Sequence, residues 1–230
     1  MEQKSKRRRA FVDLVIITVI SVIAFCFYYF YKQQIVEFVA DDSRSVLERT
    51  LISGLLHFGV AGLGMCVVML FRGESFRNIG FTRENLTEAL KFSLIFAFLF
   101  MLVTIFRGIW RIVYPFRQQW LTEIFLESPL PVMALGLLFC MIVCGSFEGM
   151  NYAYISKKLN TVCPTKNIFL SPGPILIAIL AFAAHAFLGL NGWQHSIQTF
   201  FLVYAMLIVY EKTGNIVGIA VVFGLLWNLL

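Results

Sequence analysis

PVMALGLLFCMIVCGSFEGMNYAYISKKL, residues 131–159, decides the fold. From Pro131 to Phe147 the run is apolar or small and reads as a membrane helix. In EGMNYAYISKKL, residues 148–159, the same helix then takes on a glutamate, an asparagine and two tyrosines before it reaches its lysines. Ionisable groups at such positions are costly and face the protein interior. Glu148 therefore marks an inward face, and Asn151 and Tyr152 lie three and four residues further along it.

The rest of the chain supports the membrane reading. It has 230 residues, of which 59% are hydrophobic, including 24 Phe. That leaves no room for a second sizeable soluble domain. The formal charge of +6 sits at the ends of apolar runs. It reads as a set of topology signals, and no nucleic-acid partner is expected. MEQKSKRRR at the start is followed by an apolar run ending in FCFYYFYK, which offers no small-residue cleavage site. The expectation is a retained first helix with its N-terminus in the cytoplasm.

Seven spans are expected, at roughly 10–31, 51–71, 90–106, 130–155, 175–190, 196–210 and 216–230. Residues 32–50 are mixed in charge and expected outside. Gly54, Gly59, Ala61, Gly62 and Gly64 give the second helix a smooth surface suited to close helix contact, and a candidate partner surface. His57 on that helix shows no ligand pattern and reads as a packing histidine. Thr82 is the candidate cap for the third helix. Residues 107–131, RGIWRIVYPFRQQWLTEIFLESPLP, combine aromatic residues with three arginines and read as an interfacial segment. Its aromatic part, 110–125, is the second candidate partner surface. The chain thus divides into 1–129, N-terminal membrane helices with a basic loop and an aromatic segment, and 130–230, a helical core.

The five cysteines match no zinc or disulfide spacing. Cys140 and Cys144 are expected on one helical line with Glu148 and Tyr152. They read as small apolar fillers, with a thiol nucleophile beside His185 as the other reading. One histidine and one carboxylate are too few for a metal site, so no metal or cofactor is expected.

Three polar groups lie at comparable depth. Glu148 and His185 each stand about 16 Å from their helix ends, and Asn228 about 21 Å, by the helical rise. Together with Asn151 they form either a hydrogen-bonded packing plug or an acid/base site with an oxyanion donor.

Residues 130–230 resemble the core of the CAAX-prenyl-endopeptidase and bacteriocin-processing (Abi) family of intramembrane proteins. That family carries paired glutamates followed, after three residues, by an arginine and usually a glycine. A histidine follows on the next helix, one turn after an aromatic residue. A histidine four residues before an asparagine lies on a final helix after a Thr-Gly turn. In this chain Phe147 and Glu148 fall on the glutamate pair, Tyr152 on the arginine and Ala153 on the small residue. AFAAHAF (181–187) puts His185 on the first histidine. EKTGNIVGIAVVFGLLWNLL (211–230) puts Gly224 on the second histidine and Asn228 on the asparagine. A shifted register would put Glu148 and Gly149 on the glutamates and Ala153 on the arginine.

The resemblance implies Glu148, His185 and Asn228 as catalytic positions if the protein is active, with Asn151 and Tyr152 beside them. It also implies a first glutamate, an arginine and a second histidine that are replaced here. Phe147 takes no proton, and Tyr152 can only donate a hydrogen bond to Glu148. Gly224 removes a donor and leaves space for another helix or a lipid tail. The expectation is a non-catalytic relative, a pseudoenzyme that binds a membrane protein, a membrane-embedded peptide or a lipidated chain, or self-associates. The alternative is a divergent intramembrane peptidase in which Glu148 and His185 activate water. A multi-pass protein of a bacterial plasma membrane follows from the same resemblance.

Overall fold

A computed structural model describes residues 2–106, 128–187 and 193–226. The aromatic segment expected to lie at the interface falls almost entirely outside them, and so does Asn228. Among the described residues the chain is helical and has no strand. The α-helices are α1 (Glu2–Phe30), α2 (Lys32–Ala40), α3 (Val46–Ala61), α4 (Leu63–Arg72), α5 (Leu86–Phe106), α6 (Leu130–Phe139), α7 (Phe147–Val162), α8 (Pro172–Phe187), α9 (Trp193–Thr213) and α10 (Val217–Leu226). A π-helical segment, Cys140–Ser146, joins α6 to α7.

Among the described residues, three helical runs are long and apolar enough to cross a membrane: Glu2–Phe30, Leu86–Val103 and Leu130–Val162. A fourth follows if α3 and α4, bent by 60° at one break, are taken as one span. The break is at Gly62, whose ψ of −32° and φ of −139° depart from helical values. A Cβ there would press on the Phe58 ring, and the bend turns Gly62 towards Phe147. The smooth face of the second expected helix is thus used inside the molecule. Gly54 meets Phe139, Gly59 lies near Ala24 and Gly64 lies against Ile17. These contacts remove that face as a partner surface, because small residues there admit α1 and α6 instead.

The two halves of the chain share one core. Ile17, Met65 and Phe100 from the first half cluster with Tyr154, Ile177, Leu207 and Phe223 from the second. α1 packs against α7 and α4, while α10 packs between α5 and the π segment. Residues 32–50 fold back beside this body. Val39 on α2 is buried against Cys140, and Ser45 with Glu48 closes a capping box that starts α3.

The polar loop between α4 and α5 is locked onto the α9–α10 turn. The Ile216 N–H donates to the Gly80 carbonyl at 3.1 Å. Asn215 Nδ2 donates to the carbonyls of Thr82 (2.9 Å) and Glu84 (2.7 Å), and Tyr210 Oη to Ile79 (3.0 Å). Thr82 therefore serves as an acceptor in this clamp, and α5 begins later than a Thr82 cap would place it, at Leu86. Gly214 adopts φ +67°, the left-handed cap that the Thr-Gly pair announces.

Gly80 and Gly73 separate two costs. Both have positive φ, +101° and +63°, but a Cβ on Gly80 would collide with the Gly214 carbonyl whereas Gly73 faces open space. Gly73→Ala should cost about 1 kcal/mol through backbone conformation alone. Gly80→Ala should cost more, about 3 kcal/mol, with loss of the loop clamp. Thermal unfolding of the two variants in detergent checks the order.

Candidate functional site

The site is built on the change from π to α geometry around Ser146. The i→i+5 bonding of Cys140–Ser146, seen in the Phe147 N–H bonding to the Ile142 carbonyl, shifts the residues before it around the axis relative to α7. The expected line of Cys140, Cys144, Glu148 and Tyr152 is therefore broken. Cys140 packs on Val39, while the Cys144 carbonyl turns towards α3.

That carbonyl lies 3.1 Å from His57 Nε2. The same nitrogen lies 3.2 Å from Glu148 Oε2. A carbonyl oxygen only accepts, so Nε2 carries the hydrogen and is shared between the two oxygens. Tyr152 Oη donates to the other carboxylate oxygen, Oε1, at 2.5 Å. His57 is thus a partner of the buried glutamate and not a histidine of packing alone. The signal for it was depth: an ionisable residue on a neighbouring apolar helix is the natural partner of a buried carboxylate.

His185 on α8 is half-buried and lies within electrostatic range of Glu148. Asn151 is 4% exposed, and its Oδ1 has no hydrogen-bond partner among the described residues. Glu148, Tyr152 and His185 are thus brought together, with His57 added. No direct contact joins Asn151 to them, and Asn228 lies outside the described residues. Among the described residues, no three His, Cys, Asp or Glu side chains form a group able to hold a metal ion.

Phe147, Tyr152 and Gly224 are committed to packing. Phe147 makes edge-to-face contacts with Phe58 (5.2 Å between ring centroids) and Phe76 (6.2 Å). Tyr152 meets Phe223 in the same way at 5.6 Å. The space at Gly224 is taken by a neighbouring helix. A Cβ there would lie 2.8 Å from Ser146 Oγ, and one on Gly145 would lie 2.7 Å from the Gly224 Cα. Gly145, Gly149 and Gly224 let α10 approach the π segment and α7 almost backbone to backbone, and Ser146 Oγ donates to the Ala220 carbonyl at 2.9 Å. A histidine at 224 would have to part these helices.

A second polar cluster lies at the other end of α7. Asp13, 2% exposed, accepts from Arg72 Nη2 at 2.7 Å and from Lys158 Nζ at 2.9 Å. Lys158 also reaches Glu74 Oε1 at 2.8 Å, and Tyr154 Oη donates to Glu74 Oε2 at 2.8 Å. This network links α1, the α4–α5 loop and α7. Its sequence signal was the single acid in the otherwise apolar FVDLVIITV, residues 11–19.

No protein-family model, curated protein or solved structure gives a significant match to this chain.

Two mutational tests separate the clusters. Asp13→Ala removes the buried carboxylate that Arg72 and Lys158 share; because Arg72 is exposed and Lys158 keeps Glu74, it should cost about 1–3 kcal/mol, whereas Asp41→Ala, whose contacts with Ser43 and Arg44 are exposed, should cost less. A double-mutant cycle of Tyr152→Phe and Glu148→Gln should show a coupling of about 1 kcal/mol, the scale of a hydrogen bond within a membrane protein.

Proposed function

We propose that this is a non-catalytic membrane protein on a CAAX-protease-like helical frame, which holds a membrane partner, a peptide or a lipidated chain. The observation that carries the reading is the state of Glu148. Tyr152 holds one carboxylate oxygen, and the nitrogen shared with Cys144 holds the other. A carboxylate committed to two donors from its own fold is a poor base for water. The packing of Phe147 and Gly224 supports the same reading, because both stand where the resembled family has reactive side chains.

The topology that goes with this proposal has seven spans and a cytoplasmic N-terminus. Its support is the gathering of Lys6, Arg9, Arg72, Lys157 and Lys158 around one end of the molecule. A bacterial plasma membrane is the proposed location and rests on the resemblance alone. The outer face of α1, with Phe11, Val15, Val19 and Ile23 exposed, and that of α5, with Ile95, Phe98 and Leu99, are apolar. A partner on these faces would lie within the membrane plane.

The second reading is a divergent intramembrane peptidase. Two histidines near one buried glutamate favour it, since His57 or His185 could assist Glu148 in activating water. Purified protein in lipid, offered a diverse peptide library, distinguishes the two. The expected result is no cleavage by the folded parent, with Glu148→Gln and His57→Gln lowering only the melting temperature. Cleavage that is lost in Glu148→Gln and His185→Ala would establish the peptidase.

A further inference from the structure

Beside the Asp13 network lies a cavity of about 450 Å³, a size that suits small-molecule ligands. Five cationic side chains, from Lys6, Arg9, Arg72, Lys157 and Lys158, line it against two carboxylates, Asp13 and Glu74. The carboxylates are already committed. Asp13 takes Arg72 and Lys158, and Glu74 takes Lys158 and Tyr154. These contacts pair Arg72 and Lys158 with the carboxylates and make a fixed floor around the buried Asp13.

The remaining three cations are not neutralised there. Lys157 Nζ donates to the Asn78 carbonyl at 2.7 Å, which positions the ammonium without cancelling its charge. Lys6 pairs with Glu2 on the solvent side, but both are largely exposed and Glu2 does not line the cavity. Such a pair is weak. Arg9 is exposed and has no ion-pair partner among the described residues. Lys6 and Arg9 sit three residues apart on α1, with Asp13 one turn further, so all three share one face. Lys157 approaches from α7.

A concave site with a paired floor and a rim of surplus cations suits a compact, multiply charged anion with several acceptor oxygens. The cavity also lies at the polar end of apolar helices. We propose that it binds a phosphate group, carried either by a lipid headgroup at the membrane boundary or by a free phosphate. Arg9 and Lys157 hold the phosphate oxygens, and the Asp13 network holds the walls apart.

The test uses the full chain in detergent and reads its melting temperature. The probes are short-chain phosphatidic acid, with phosphatidylcholine of the same chain length as baseline, and inorganic phosphate at ionic strength matched by chloride. Arg9→Gln with Lys157→Gln removes two cavity cations. Arg7→Gln with Arg8→Gln removes two neighbouring cations that do not line it. A phosphate probe should raise the melting temperature of the parent. The cavity pair should raise the half-saturating concentration about tenfold or more, and the neighbouring pair less than about twofold. Stabilisation by phosphatidic acid alone identifies a lipid headgroup, and stabilisation by inorganic phosphate identifies a free ligand. No shift of the folded parent with either probe overturns the site. Equal weakening by both double variants also overturns it, since a diffuse basic surface would then account for binding.

Discussion

Two carboxylates stand inside apolar helices, Asp13 on α1 and Glu148 on α7, and neither can be buried alone. An isolated charge in such surroundings costs several kcal/mol, so each must meet donors from other parts of the chain. Asp13 draws α1 to Arg72 and to Lys158 on α7. Glu148 draws α7 to His57 on α3. The first half of the chain is thus tied to the second at two heights by charge, and the shared apolar core fills the space between.

Glycine makes the second set of joins possible. Where α10 crosses the π segment and α7, Gly145, Gly149 and Gly224 bring backbones into contact and leave no volume for side chains. The π segment changes the helical register just before Glu148, so that the Cys144 carbonyl and the glutamate share one histidine nitrogen. At the polar end, the Ile216 N–H and the Asn215 side-chain amide donate to the backbone carbonyls of Gly80 and Thr82, a clamp of hydrogen bonds in place of helix packing. At Gly224 the close crossing leaves no volume for a larger side chain.

The positions that resemble a catalytic frame therefore have a physical account without catalysis. Phe147 completes an aromatic cluster, Tyr152 satisfies a carboxylate oxygen, and Gly224 permits a close crossing. A buried hydrogen-bonded network of this kind gives a helical assembly a defined register, because any slip would strand a polar group in an apolar medium.

The apolar runs and the inward side of Glu148 were determined by sequence alone, whereas the break at Gly62 inside the 51–71 run was not. Hydrophobic length and turn chemistry are local properties, so Pro172 opens α8 and Gly214, with its positive φ, follows the end of α9. The contact of Tyr152 with Glu148 was also legible, being one helical turn apart. Partner choice was decided by tertiary structure. His57 lies ninety-one positions before Glu148 in the chain, and nothing near it in sequence announces a carboxylate. Whether a glycine face lies open or closed depended equally on which helix reached it first: Gly54 and Gly64 met Phe139 and Ile17 within the same molecule. The π turn was hidden for a related reason, since its one-residue change in helical bonding follows from packing against α10 and not from the propensities of CMIVCGS, residues 140–146.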